Sequence, residues 1–397
     1  MSLTERSRAR EQPTLTAPAR PRARGAAQER SASSQARRPG DVRVSLLGRT
    51  DPVVADAFAT AREVPEFGTD LAKTLDWCVR VGGRAPHPAD GRTAELWQLL
   101  AGTAAIDVGA ARILEPHLDA LAILGQAGTN LAGGRDPWGL RTVGVTRDSS
   151  WGVYAAEAPG TILRATEEGT SWILSGTKAW CSLAHDVTHA LVTAFVDDSN
   201  RRLFAVDLRA AGVRPHAGPW HARGLPRIVS APVDFDAVPA VPIGDAGWYL
   251  ARPGFAWGGM SVAAVWWGGA AGLMDALMAP AASDRADQLS FVHLGRVDAA
   301  LWGARAVLAE AATLIDVQDP ADRRAATLLA ERVRSIVADA ATLALAEADA
   351  ALGPAPLVAD PAHARRVADL HLYLRQHHGL RDVARIGRSL AAAESSS

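Results

Sequence analysis

"LSGTKAWCSLAHDVTHALV", from Leu174 to Val192, is the stretch on which the reading of this chain turns. Polar "SGTK" interrupts one apolar run, and "AHD" separates "AWCS" from the next. Short apolar runs divided by turn residues are the pattern of β-strands, so "SGTK" is expected to close a hairpin and "AWCS" to leave the strand. There Trp180 offers a flat apolar face and Ser182 a hydrogen-bonding hydroxyl. That pairing suits a planar heteroaromatic ring with polar edges.

The strand pattern extends outward to cover Arg141 to Ile243, with "EEGT" and "DDSN" as turns, at the spacing of a β-sandwich or barrel. On both sides the period becomes helical. In "AELWQLLAGTAAIDVGAARILEPHLDALAIL", Ala94 to Leu124, apolar residues recur at helical spacing, and Pro116 is expected to kink or restart the helix. Arg112 and Glu115, three apart, read as a pair on a solvated helix face. After Phe255 four helical segments follow, Ala256–Met278, Leu289–Ile315, Ala321–Leu352 and Ala362–Leu390. The expectation is an α+β fold: an Arg/Ala-rich disordered tail over 1–45, an N-terminal helical domain over 46–138, a middle antiparallel β-domain over 139–250 and a C-terminal four-helix bundle over 251–392. A ligand is expected where the β-domain meets the bundle.

Composition narrows the function. The 397 residues carry a formal net charge of -1 and are 48% apolar, which gives no basic excess for nucleic acid. The longest apolar stretch, Phe255 to Met278, is broken by glycines and reads as a buried helix rather than a membrane span. Cys78 and Cys181 make no disulfide framework, so a reducing cytoplasm is expected. Lys73 and Lys178 are the only lysines among many arginines, which with the abundant alanine suggests a GC-rich bacterial coding sequence. The arginine-rich tail has a transit peptide as its functional alternative, and no secretory apolar segment is evident. No phosphate-binding loop, nucleophile elbow, HExxH or paired CxxC occurs. "GGAAG", Gly268–Gly272, lies inside a helical pattern and reads as a close helix–helix contact. His371 and His378 would lie two turns apart on one helix, too far for one ion, so no metal is expected.

Several stretches, taken in order, resemble the acyl-CoA dehydrogenase superfamily, FAD-dependent flavoproteins with a helical domain, a β-domain and a C-terminal helical bundle. "WGVYAAEAPGTILRA" resembles the family's "TEPxAGSD" strand, and the opening stretch its "GxKxWITNxxxAD" motif. "HARGLPRIVSAPVDFDAVPAV" is similar to the segment closing its β-domain, and "GPAPLVADPAHARRVADL" to the stretch after its "GGxGY". "DVGAARILEPHLDAL" is similar to an N-terminal helix of one subgroup. The resemblance implies an FAD cofactor held by Trp180 and Ser182, with Glu157 at the motif's acidic position and Thr161 near its serine. His293 lies close to where a glutamine usually follows, whereas the "RxxFG" arginine has no clean match. Ala156 and Ala158 replace the motif's threonine and proline. A homodimer or homotetramer is implied, with an electron-transfer flavoprotein or a flavin reductase as redox partner.

In the classical dehydrogenases a glutamate removes the α-proton of an acyl thioester. One usual position falls here on Gln376, counted from Pro361, or on His377, counted from Asp369. The other lies in "FAWGGMSVAAVWWGG", which holds no carboxylate. An amide takes up no proton at neutral pH, whereas histidine does, with an unperturbed pKa of about 6.5. Three readings follow: α,β-dehydrogenation of an acyl thioester with His377 as base, a flavin monooxygenase of the same fold acting on a small or aromatic substrate, or a catalytically silent flavin- or acyl-binding protein. Trp257, Trp266 and Trp267 read as core, and Arg375, His378 and Arg381 as a solvated helix face.

Overall fold

The computed structural model describes residues 45–46, 48–130, 133–317 and 322–394. Of the tail assigned to 1–45, only Ser45 lies within them; it is buried, and its hydroxyl donates to the Arg49 carbonyl at 2.7 Å. Among the described residues four helices lead: α1 (Pro52–Glu63), α2 (Leu71–Gly82), α3 (Thr93–Ile106) and α4 (Val108–Gln126). Asp51, Asp70 and Asp107 start α1, α2 and α4 by accepting a first-turn backbone N–H. The helical run breaks at Asp107, whose extended backbone ends α3 and opens α4. Pro116 neither restarts nor stops the helix: α4 runs through it, because burial of Ile113, Leu114, His117, Leu118 and Ala120 on either side holds the segment in place.

Seven strands follow, β1 (Trp151–Tyr154), β2 (Leu163–Glu168), β3 (Ser171–Ser182), β4 (His189–Phe195), β5 (Arg201–Asp207), β6 (Val213–Pro215) and β7 (Ser230–Ile243). They form one sheet in the order β1-β4-β2-β3-β7-β5, with β6 on β7. Because β4 also pairs with β5, the sheet closes on itself as a barrel. The sheet is not wholly antiparallel: β1–β4 and β2–β4 are parallel. The β2–β3 hairpin is inserted between β1 and β4, so β1 meets β4 through a long crossover, which permits parallel pairing. "SGTK" does not close that hairpin; the turn falls at "EEGT", where Glu168 faces Ser171, and β3 runs straight through. Gly176 takes a φ of 118°, and a Cβ there would lie 2.2 Å from the Ile162 carbonyl oxygen, so it marks a close approach and not a reversal.

The chain returns to helix in α5 (Trp248–Ala251), α6 (Gly254–Ala271), α7 (Met274–Ala281), α8 (Gln288–Val317), α9 (Arg323–Leu352), α10 (Ala355–Ala359), α11 (Pro361–Tyr373) and α12 (Leu380–Glu394). The segment expected as one helix over Ala362–Leu390 is two, separated by a 3-10 turn at Leu374–Gln376 and by Gly379 at a φ of 58°. His371 and His378 therefore share no helix face. Arg375, His378 and Arg381 are exposed, yet on a turn and a helix start. Gly254–Ala281 is apolar and long enough by composition to cross a membrane, but 72% of its apolar 18-residue window is buried inside the fold. A Cβ on Gly268 would stand 2.0 Å from the Ala101 carbonyl oxygen, so α6 lies hard against α3. The Trp97 indole donates to Ser261 Oγ at 3.1 Å across the same contact, and Trp257, Trp266 and Trp267 are core.

His117 is buried on α4, and neither ring nitrogen has a partner. Burial pushes its pKa down to about 4, so the folded chain holds it neutral while the unfolded chain takes up a proton below about 6.5. Stability contributed by the neutral ring is therefore lost as pH falls from about 6.5 towards 4. Between pH 7 and pH 5 the wild type should lose about 2 kcal/mol more than His117→Leu, measured by urea unfolding at both pH values.

Candidate functional site

A cavity of about 460 Å³ opens where α4, the end of β1, α5–α6, α9 and the chain around Gln376 and α12 converge. Helix α4 supplies Arg112, Glu115 and Asp119, whose spacing of three and then four residues places them on one face. The connection after β1 contributes Ala155 and Ala156, and α9 contributes Glu331 and Arg334. Gly258 and Gly259 leave room for these long side chains: a Cβ on Gly258 would sit 3.1 Å from Asp119 Oδ1, and one on Gly259 3.5 Å from Arg334 Cδ.

The arginines are anchored. Arg334 donates to the carbonyls of Gly259 (2.7 Å) and Gln376 (3.0 Å) and lies over the Trp266 ring at 4.7 Å. Arg252 donates to Gln126 Oε1 at 2.9 Å, stacks on Tyr249 and stands 3.8 Å from Asp119. Arg385 joins Glu331 at 2.7 Å and Asp382 at 2.8 Å. Arg112 lies 3.4 Å from Glu115 Oε2 and donates to Ser182 Oγ at 3.2 Å. Arg112 and Glu115 are thus no solvated pair, since their side chains are 14% and 11% exposed. Tyr373 also donates to Glu115 Oε2, at 3.2 Å. Desolvation pushes the Glu115 and Asp119 carboxyls above the ordinary carboxylate range, against the pull of Arg112 and Arg252 respectively.

Ser182 joins this cavity to the end of β3. Its hydroxyl pairs with that of Ser230 at 2.7 Å, and its carbonyl accepts from the Tyr154 hydroxyl at 2.9 Å. Two residues before it, Trp180 has a φ of 57° within a register shift of the β3–β7 ladder, which turns its ring out of the sheet. It is 58% exposed, while neighbouring Cys181 is buried.

The other residues singled out from the sequence are placed differently. Gln376 lines the cavity. His377 does not: its Nε2 is 3.2 Å from Ser335 Oγ and 3.7 Å from Asp382, and burial holds its pKa below the ordinary histidine value. Glu157 pairs with Lys178 Nζ at 2.6 Å and Arg201 at 3.0 Å. Thr161 donates to the Ala158 carbonyl, closing a turn. His293 bonds Glu347 on α9 at 2.7 Å, outside the cavity wall. Among the described residues no group of three or more His, Cys, Asp or Glu is arranged to hold a metal ion. Sequence reasoning missed Asp119, Arg252, Glu331, Arg334, Asp382 and Arg385 as wall residues; the available signal was the three-residue spacing of Glu331 with Arg334 and of Asp382 with Arg385.

Lys178 is 1% exposed, and Glu157 together with the Thr193 hydroxyl compensates its ammonium. Glu157→Ala should destabilise the fold by on the order of 3 kcal/mol in urea unfolding, because it strands a buried charge.

No protein-family model and no curated protein matches the sequence. Among solved structures, KijD3 in complex with FMN and dTDP-3-amino-2,3,6-trideoxy-4-keto-3-methyl-D-glucose aligns with a TM-score of 0.67 at 21% identity, over 90% of this chain and 94% of that one. TdsC from Paenibacillus sp. A11-2, with FMN and indole, gives a TM-score of 0.70 at 18% identity over 84% and 95%. Butyryl-CoA dehydrogenase from Megasphaera elsdenii gives 0.71 at 16% identity over 86% and 99%. The chain therefore has the fold of the acyl-CoA dehydrogenase superfamily, as the order of its motifs implied.

Proposed function

We propose that this chain is a flavin-dependent oxidoreductase that oxidises a small polar substrate in the cavity beside α4, with oxygen-using chemistry ahead of acyl-thioester dehydrogenation. The observation that carries this order is the cavity wall. Arg112, Glu115, Asp119, Arg252, Glu331, Arg334, Asp382 and Arg385 all face it. Seating an acyl chain there would leave Glu115 Oε1, Glu331 Oε2 and Arg252 Nε desolvated without a partner, whereas a polar substrate exchanges hydrogen bonds with them. The apolar remainder, including Val153, Phe255 and Val262, suits a compact skeleton.

A flavin fits the residues at the strand end. Trp180 presents an exposed indole face for a planar ring, and the Ser182 hydroxyl stands two residues away, already hydrogen-bonded to Arg112 and Ser230. When bound, a flavin supplies two-electron chemistry and, once reduced, reactivity towards oxygen. The protein's part is to pack the ring, orient the substrate and move its protons. Glu157, Thr161 and His293 are spent on internal contacts and are not part of this proposal. FMN in complexes of similar fold supports FMN as readily as the FAD expected from the resemblance. Supply by a flavin reductase, assembly as a homodimer or homotetramer and a cytoplasmic location belong to the same proposal.

The test gives the purified protein FMN, NADH, a flavin reductase and oxygen with a panel that includes indoles and amino-sugar nucleotides, and follows products by mass spectrometry. Substrate gaining one oxygen atom is the expected result. Anaerobic bleaching of the bound oxidised flavin by an acyl-CoA thioester, with no oxygen incorporation, would overturn it in favour of dehydrogenation.

A further inference from the structure

We propose that Glu115, and not His377, is the residue that exchanges a proton with the substrate. The inference rests on the reading of the cavity as the substrate site. Glu115 lies on the cavity wall, whereas His377 stands behind it, against Ser335 and Asp382. Both partners of Glu115, Arg112 and Tyr373, reach the same oxygen, Oε2. Oε1 has no hydrogen bond among the described residues and is the acceptor left for a ligand. The two contacts on Oε2 fix the carboxyl's orientation, as a proton-transfer group requires.

The step is a simple exchange. An X–H bond of the substrate, in a hydroxyl or an ammonium group, breaks; its proton bonds to Glu115 Oε1, and the electron pair stays on X. No electrons are transferred in it. Burial raises the Glu115 carboxyl above its ordinary range. The charged and titratable groups facing it are Arg112 and Asp119 on its own helix, Tyr373 on α11, Arg334 on α9 and Tyr249 on α5. Against that burial, Arg112, Tyr373 and Arg334 pull its pKa down and Asp119 pushes it up, so single substitutions of these neighbours shift its proton affinity. Glutamine at 115 still accepts the Tyr373 hydrogen bond but takes no proton.

Two arms test this. In flavin-free protein, the infrared difference between wild type and Glu115→Gln is followed across pH. The expected signal is one carboxyl titrating above the ordinary glutamate value of about 4.3, and Tyr373→Phe should move it higher still. A carboxyl titrating at or below that value would overturn the proposal. With the substrate found by oxygen incorporation, Glu115→Gln should lower kcat/KM by roughly 100- to 10,000-fold, with flavin binding unchanged. Glu115→Asp should keep a pH-dependent rate, and His377→Gln should stay within a few-fold of wild type. Tyr373→Phe should carry the acid limb of the pH profile upward, which a merely structural role would not do. Retention of the rate in Glu115→Gln, or its loss in His377→Gln instead, would overturn the assignment. Failure of the functional reading shows separately, as no flavin-dependent turnover by the wild type, and the infrared arm needs neither flavin nor substrate.

Discussion

The site depends on the way α11 is tied down by its polar face. Arg366 donates to the carbonyls of Ala104, Ala105 and Ile106, the unpaired C-terminal end of α3. Arg365 pairs with Asp107, the residue that opens α4. One turn on, the Asp369 carboxylate accepts the backbone N–H of Leu225, from the loop before β7. One more turn brings the Tyr373 hydroxyl to Glu115. Four side chains at helical spacing thus bind the α3–α4 junction, the β-domain loop and the cavity wall to a single helix. Desolvation raises the Asp369 carboxyl to about 6, and Gly224 completes the contact, since a Cβ there would lie 2.0 Å from the Ala368 carbonyl oxygen.

Docking α11 in this way fixes what the cavity can hold. Helix α4 turns three charged residues inward because Arg112 is held between Glu115 and Ser182 and lies over the Tyr373 ring. Behind them, Arg334 spans from the Gly259 carbonyl to that of Gln376, so the turn after α11 becomes part of the wall. Arg112 and Arg334 each spend donors on the protein, whereas Arg252 Nε is buried without a partner. Acceptor oxygens remain: Glu115 Oε1, and Glu331 Oε2, which is buried without a partner. In a low-dielectric pocket such oxygens favour a hydrogen-bond donor over an alkyl chain.

The sequence made the order of elements legible because periodicity survives without knowledge of partners. Helical runs flank the strands, and "EEGT" and "DDSN" are the turns they resemble. What it concealed depends on tertiary contact. Gly176 and Trp180 look like a turn and a strand end, yet both are irregularities inside one long strand whose partner, β7, comes some fifty residues later. The helix expected through His377 breaks at Leu374–Gln376 and Gly379, which the apolar pattern does not register. Glu115 was visible as half of an ordinary i,i+3 pair, and only the docking of α11 turns that pair into a cavity wall. Conversely, Trp180 and Ser182 were legible as a pair, and Ser182 sits at the edge of this polar network.

The central claim is that a planar cofactor lies against Trp180 beside the charged cavity. The direct measurement is a titration of FMN and of FAD with the purified protein, followed in the flavin visible spectrum and fluorescence, for the wild type and Trp180→Ala. The account predicts saturable binding of at least one flavin with a perturbed spectrum, weakened by about tenfold or more when the indole is removed. Absence of binding, or equal affinity in the two proteins, would contradict it.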